Sequence, residues 1–295
     1  MQLESFKVFC DLAESRSFTN AARISGITQS AVSQQISALE KHFNALLIER
    51  SKKMFRLTRE GHLLYDHSKE IMNAYEKLNS EMQALQNIVS GNIRVSTIYS
   101  IGLHTLPPFL KLFLKKFPTV NVHVEYSHAD KIREDVLGNV VDMGLVAYPG
   151  KDSKLAIIPL MEEPLVLICS PNHSLAEQNE VDLPMIAGEN LVGFHIDIPT
   201  RRGIDRILRE KKIKLNPVME FDNIETVKRA VEIGFGVAIV PEVTVLQEVS
   251  MKSLSKLRFR DVKISRPVAA VYKRTKVISP ALENFLSVLG GKLTV

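Results

Sequence analysis

Cysteine is nearly absent from this chain: only Cys10 and Cys169 occur, far apart and each in apolar surroundings. That excludes a disulfide framework and any CxxC pair, and leaves two buried, reduced thiols as the expectation. Long apolar runs are missing as well. No stretch approaches eighteen uncharged apolar residues, and Gln2 and Glu4 stand where a secretory leader would carry a basic cluster. A cytoplasmic protein with no membrane partner is therefore expected. Signatures of catalysis are lacking too. The eight histidines show no HExxH or other metal spacing, no GxSxG elbow occurs, and no glycine-rich phosphate loop follows a strand. Hence no enzyme, catalytic residue, metal or cofactor is expected. Charge excess is also small, since a formal +5 does not by itself mark a nucleic-acid binder.

What is present begins with 45% hydrophobic residues, enough for normal cores, over 295 residues, a length that suggests two domains. The mild positive charge is unevenly placed: RSKKMFRLTR, from Arg50 to Arg59, carries five basic residues and no acidic one. No internal repeat or low-complexity segment is found.

Leu3, Phe6, Phe9 and Leu12 recur at helical spacing until SRS breaks the pattern before Phe18. TNAARISG then reads as a short helix that Thr19 could cap and Gly26 stops, with Thr28 opening the next. That next helix, about Gln29 to His42, has an apolar stripe of Val32, Ile36, Leu39 and Phe43. Its opposite stripe, Gln29, Ser30, Ser33, Gln34 and Ser37, is short and hydrogen-bonding. From Leu46 to Leu57 a small basic hairpin is expected, and from Thr58 a long helix. Within it Ile71, Tyr75, Leu78, Met82, Leu85 and Val89 follow alternating steps of four and three, with Leu64 one heptad before Ile71, which makes an a/d seam. A partner helix from a second subunit is the simplest occupant of such a stripe, packing against its own domain being the alternative.

Beyond Ser90-Gly91-Asn92 the texture changes. Candidate strands at Ile93–Ile98, Val120–Tyr126, Asp142–Ala147, Leu165–Cys169, Leu191–Phe194, Pro217–Phe221, Val237–Val240 and Val268–Tyr272 alternate with helical segments at Leu103–Phe117, Lys131–Gly138, Arg201–Lys212, Ile224–Gly234 and Pro280–Leu289. The alternation predicts a parallel α/β architecture.

A helix-turn-helix needs a small residue where its helices cross, a turn residue that accepts left-handed geometry, and a buried aliphatic in its second helix. Ala22, Gly26 and Val32 supply these in order. On the exposed face, Gln29 and Ser33, one turn apart, are the first candidates for base edges, because glutamine can pair with adenine N6 and N7. Ser30, Gln34 and Ser37 are placed for bases or flanking phosphates. Arg50, Lys52, Lys53 and Arg56 make a wing, since phosphate contacts need positive charge with loose geometry. A solvated polar face and a solvated charge run are the competing readings.

MQLESFKVFCDLAESRSFTNAARISGITQSAVSQQISALEKHFNALLIERSKKMFRLTREG resembles the N-terminal domain of LysR-type transcriptional regulators, in its SFTNAA helix, its TQSAVSQQISALE recognition helix and its LLIERSKKMFRLTREG wing. FDNIETVKRAVEIGFGVAIVPE, Phe221–Glu242, is similar to that family's C-terminal signature, so the likeness covers nearly the whole chain. The resemblance implies a mixed α/β protein with a winged helix-turn-helix at 1–58, a linker and dimerisation helix at 59–90, and a two-lobed, periplasmic-binding-protein-like effector domain at 91–295. Crossovers near Met161–Glu163 and Ser265–Pro267 would separate lobe one (92–161 and 268–295) from lobe two (162–267). It further implies double-stranded DNA with a partly palindromic operator as partner, with Gln29 and Ser33 at positions that commonly contact DNA. It also implies assembly as a dimer and then a homotetramer, and RNA polymerase as a candidate partner.

A ligand is expected between the lobes, where strand ends and helix starts leave N–H groups that favour anions. Tyr99, Ser100 and Gly102 follow the first strand of the domain, and their hydroxyl and glycine suit close approach of a carboxylate or phosphate. Thr200 and Arg201 open a lobe-two helix, with Thr200 as a cap and Arg201 as a charge-assisted donor. Ser127, His128, Phe194 and His195 lie at expected strand ends. The expected effector is a small organic anion, and simple helix capping is the alternative for Ser100 and Thr200. Redox sensing through a cysteine pair is disfavoured, because the effector region holds Cys169 alone. Two rival functions remain: an enzyme on the same lobes, opposed by the missing motifs, and an architectural DNA binder without effector control.

Overall fold

A computed structural model describes residues 2–51, 54–84 and 89–290. The chain divides into two compact units, one of Met1–Ile88 with the short segment Val277–Pro280, the other of Val89–Lys276 with Ala281–Val295.

In the first unit α1 (Leu3–Ser15), α2 (Phe18–Ser25) and α3 (Gln29–Phe43) precede a hairpin of β1 (Ile48–Ser51) and β2 (Met54–Leu57), and α4 (Arg59–Ala84) follows. Most of the expected apolar positions meet in one core, Phe6, Phe9, Leu12, Ala21, Ala22, Val32, Ile36 and Leu39, closed by Leu47 and Ile48, but Phe43, the last of the α3 stripe, is exposed at the end of the helix. Gly26 ends α2 at φ +67° and its N–H returns to the Ala22 carbonyl, a left-handed turn that costs glycine little. Ser17, not Thr19, caps α2, its Oγ accepting from the Asn20 N–H. The helix already begins at Phe18, so Thr19 falls within its first turn. Thr58 starts α4, its Oγ1 accepting from Gly61 N at 2.9 Å and donating to the Leu46 carbonyl at 2.6 Å. Gly61 is held against the wing: a Cβ there would sit 2.1 Å from the Leu47 carbonyl oxygen.

The proposed seam on α4 divides. Leu64, with Tyr65 and Met72, packs on the core of its own unit, whereas Ile71, Tyr75, Leu78 and Met82 are exposed. Leu85 lies outside the described residues. An ion pair between Lys69 Nζ and Glu14 Oε1, 2.5 Å, fastens α4 to α1.

The second unit runs β3 (Gly91–Thr97), a π-turn (Ile101–Thr105), α5 (Leu106–Lys116), β4 (Val120–Tyr126), α6 (Ala129–Leu137), β5 (Met143–Ala147), β6 (Leu155–Cys169), β7 (Glu180–Val181), β8 (Asn190–Phe194), α7 (Pro199–Glu210), β9 (Asn216–Phe221), α8 (Ile224–Glu232), β10 (Ala238–Pro241), α9 (Leu246–Ser250), β11 (Ser255–Phe259), β12 (Ser265–Lys273) and α10 (Pro280–Val288). Strand order β4-β3-β5-β12-β6 forms one lobe. The far half of β6, with β10, β11 and β7, forms the second, flanked by the parallel pair β8-β9.

The sheet is mixed: the parallel pairing that the alternation predicts is confined to part of it. β3 pairs in parallel with β4 and β5, but β12 runs antiparallel to β5 and β6, and β10 and β11 run antiparallel to β6. The cause is a strand that sequence patterning hides. β6 is 15 residues long, and its first half carries Pro159, Glu162, Glu163 and Pro164, which reads as a loop. Leu155–Pro164 pairs with β12 in lobe one, and from Leu165 the same strand pairs with β10 in lobe two. The chain passes between lobes within a continuous strand at 163–165 and again at 264–266, where Leu165 N donates to the Ile264 carbonyl.

Candidate functional site

In the first unit Thr28 sets the start of α3: its Oγ1 accepts from Ala31 N at 3.2 Å and lies 2.9 Å from Ser30 Oγ. Val32, Ile36 and Leu39 hold the inner side at no more than 2% exposure, which fixes the rotation of the helix. Gln29, Ser30, Gln34 and Ser37 are then exposed and Ser33 is half-buried. Gln29, Ser33 and Ser37 stand at steps of four and form one row. The side chains of Gln29, Ser33, Gln34 and Ser37 make no hydrogen bond among the described residues, so their polar groups are available. On the hairpin, Arg56 is exposed on β2 opposite Glu49, and Arg50 sits opposite Phe55. Lys52 and Lys53 lie outside the described residues, as does the side chain of Arg50.

In the second unit a cavity of about 400 Å³ opens between the lobes. Tyr99, Ser100, Ser127, His128, Phe194, His195 and Thr200 line it, together with Ile98, Ala129, Asp130, Ala147, Asp197, Ile198, Pro199, Asp222, Ile224 and Arg266. Its size suits a small molecule. Floor and rim differ in chemistry.

Arg266 dominates the floor. Its side chain is 1% exposed, and its Nε and Nη2 donate to Glu163 Oε2 at 2.8 and 2.6 Å. Thr105 Oγ1 donates to the other Glu163 oxygen. Burial pushes the guanidinium below its ordinary value while Glu163 pulls it back up, and an arginine so paired stays charged. Its remaining donors reach both lobes: Nη2 to Ser100 Oγ at 3.0 Å and Nη1 to Thr200 Oγ1 at 3.3 Å. Each hydroxyl accepts one bond from the guanidinium, and among the described residues nothing accepts its proton. Two buried O–H donors, one from each lobe, therefore line the cavity unclaimed. Open N–H groups add to them, since α6 and α7 both start at the cavity without a side-chain cap.

The rim carries Asp130, Asp197 and Asp222 with His128 and His195, all exposed. His195 Nδ1 lies 3.2 Å from Asp197 Oδ2, and His128 Nε2 lies 3.9 Å from Asp222 Oδ2, across the lobes. Beside the rim His104 Nε2 meets Glu225 Oε1 at 2.7 Å, and Glu225 also pairs with Lys228 at 3.0 Å. Partial burial alone would raise the Glu225 carboxyl, but its bonds to Lys228 and His104 outweigh this and hold it low. Tyr148 packs over Gly203, where a Cβ would come 2.5 Å from the phenol oxygen, so the lobes approach closely there.

Two residues expected at the ligand are placed elsewhere. Gly102 lies off the cavity: its N–H is taken by the Ile98 carbonyl, and its missing side chain makes room for Thr97 and Tyr126. Arg201 is likewise turned away, donating to Asp205, to Glu220 and to the Phe194 carbonyl. Nor does Thr200 cap α7. Ile198 occupies the cap position and Pro199 opens the helix, which leaves the Thr200 hydroxyl for Arg266. Arg266 and Glu163 went unread in the sequence, although a signal existed: they are opposite charges, one in each of the two segments expected to cross between lobes.

Comparison with known proteins decides the family. Residues 3–62 match the model of the bacterial regulatory helix-turn-helix protein, lysR family, and residues 86–294 match the LysR substrate binding domain. The chain belongs to the LysR family. This LysR-type regulator is 28% identical to the HTH-type transcriptional activator CmpR of Synechocystis over 97% of its own length and 94% of the relative's. A full-length OxyR variant from Pseudomonas aeruginosa shares its fold at a TM-score of 0.75 with 20% identity, covering 98% of this chain and 93% of that one. Full-length CbnR complexed with its target DNA does so at 0.68 with 18% identity, covering 98% and 99%.

This LysR-type protein is thus a DNA-binding transcription regulator with an effector-binding domain, not an enzyme. Among the described residues, no group of His, Cys, Asp and Glu is arranged to hold a metal ion, and no helix is long and apolar enough to cross a membrane.

Proposed function

We propose that a small organic acid, bound between the lobes, controls this regulator's grip on a partly palindromic operator. The observation that carries the reading is the pair of buried hydroxyls, Ser100 and Thr200, both accepting from Arg266 and both with a proton left to give. A carboxylate placed there receives two O–H donors and the N–H groups of two helix starts. Because Ser100 and Thr200 belong to different lobes, the ligand favours one lobe spacing over others and shifts that equilibrium by its differential affinity. Tyr99, Ser127, His128, Phe194 and His195 complete the walls.

On DNA, Gln29 and Ser33 read base edges and Ser30, Gln34 and Ser37 contact bases or phosphates, while Arg50, Lys52, Lys53 and Arg56 hold the backbone. The exposed stripe of Ile71, Tyr75, Leu78 and Met82 supports a paired linker helix, and from it a dimer that assembles further into a tetramer in the cytoplasm. A discrete footprint sets this apart from an architectural binder, which would give uniform coverage.

The test is footprinting on upstream DNA beside the coding sequence, with a panel of organic acids titrated against operator affinity and thermal stability. A protected site whose affinity changes with an acid, and no longer changes in Ser100→Ala, is the expected result. A site indifferent to every acid in the panel overturns the effector reading.

A further inference from the structure

The charges around the cavity set a limit on the ligand that the family alone does not. Among the described residues Arg266 is the only Lys or Arg lining it, and Glu163 already neutralises that charge at 2.6 Å. Asp130, Asp197 and Asp222 face the same space. Asp130 makes no ion pair among the described residues. Asp197 and Asp222 have only exposed histidines beside them, and the Asp222 contact is long at 3.9 Å. The floor is the reverse. Ser100 and Thr200, 6% and 2% exposed, each present an O–H with no acceptor among the described residues, which points to a ligand independently of the rim. Donors lie at the bottom and carboxylates at the mouth.

We infer that the effector is an ampholyte, with a single carboxylate at the floor and an ammonium or comparable cationic group at the rim. This rests on the organic-acid reading above and narrows it. A dianion would bring its second negative charge against three carboxylates, with no free cation among the described lining residues to meet it. An ammonium at the same place gains hydrogen-bonded, charge-assisted contacts with Asp130 and Asp222. The rim acids therefore act by rejection as well as attraction, selecting on the second functional group.

Calorimetry on the full-length protein tests this with two series matched in chain length: butyrate, 4-aminobutyrate and succinate; hexanoate, 6-aminohexanoate and adipate. In at least one series the amino acid should bind about tenfold tighter than the plain acid, and the diacid weaker than either. Asp130→Asn/Asp222→Asn changes two exposed side chains. It should bring the amino acid to within about twofold of the plain acid and raise the diacid's affinity about threefold, as repulsion is lifted. Ser100→Ala should weaken all members of a series together. If in both series the plain acid or the diacid binds as tightly as its amino partner, the ampholyte is overturned and the organic-acid reading stands, as it does if a preference survives the double substitution. Binding of none of the six removes the organic-acid reading and this one with it.

Discussion

Arg266 Nη2 and Glu163 Oε2 meet 2.6 Å apart, on side chains only 1% and 6% exposed, where the chain passes twice between the lobes. Glu163→Gln would strand the guanidinium without its counter-charge, and breaking one side of a buried pair costs about 3–5 kcal/mol. Urea unfolding should show that loss. Glu163→Met combined with Arg266→Met should recover most of it, since replacing both members of a buried pair by apolar side chains of similar volume is close to neutral. A single variant as stable as the parent would contradict this account of the pair.

Thr58→Ala removes an N-cap that bonds both Gly61 N and the Leu46 carbonyl, for an expected loss of about 1 kcal/mol. Gly61→Ala should cost more, because its Cβ would meet Leu47 backbone at 2.1 Å, an atom that cannot swing aside. Thermal melts should rank the two in that order, and operator affinity should fall with them as the wing is displaced.

Gln29→Ala or Ser33→Ala should lower affinity for the true operator by about 1–3 kcal/mol and leave binding to unrelated DNA nearly unchanged. Arg56→Ala should weaken both alike and reduce the salt slope by about one. Affinity measured on the two DNAs across a salt series separates base reading from phosphate anchoring.

Leu78→Glu puts a charge in the exposed stripe between Tyr75 and Met82. If a partner helix covers this stripe, sedimentation should show the assembly dissociating at micromolar concentration while the helical content persists. An unchanged sedimentation coefficient would place the subunit contact elsewhere.

Burial, with Glu189 nearby adding to it, pushes the Cys169 thiol from the ordinary 9.0 up to about 11. Its protonated form is favoured by the fold, so the stability it contributes is complete below pH 9 and is lost as pH rises towards 11. Unfolding midpoints of the parent should fall over that interval more steeply than those of Cys169→Ala. At pH 8 the native thiolate fraction is on the order of one in a thousand, and iodoacetamide should leave the residue unlabelled until the protein is denatured.

Much of the DNA-reading unit was legible because its determinants are local. Ala22, Gly26 and Val32 fall within a dozen residues, and helical periodicity alone assigns Val32, Ile36 and Leu39 inward and Gln29, Ser33 and Ser37 outward. The effector unit was legible only in outline. The first half of β6 was hidden because two prolines and two glutamates do not look like a strand, yet pairing with β12 holds them there. Gly102 and Arg201 were misplaced for a related reason. Sequence neighbours of a site share its address, but a backbone bond to Ile98 and ion pairs with Asp205 and Glu220 turned them from it.

By itself the sequence carried the likeness to the LysR family in its motifs, and it determined the helix-turn-helix with its polar outer row and the alternation of strands and helices, since these last two follow from short-range periodicity and turns. Only the tertiary structure decided that Arg266 joins Glu163, Ser100 and Thr200, residues separated by as many as 166 positions. It alone also decided that three aspartates ring the cavity above them. Those contacts depend on the register in which β6 and β12 cross between lobes, and register is set by long-range pairing, which no local pattern encodes.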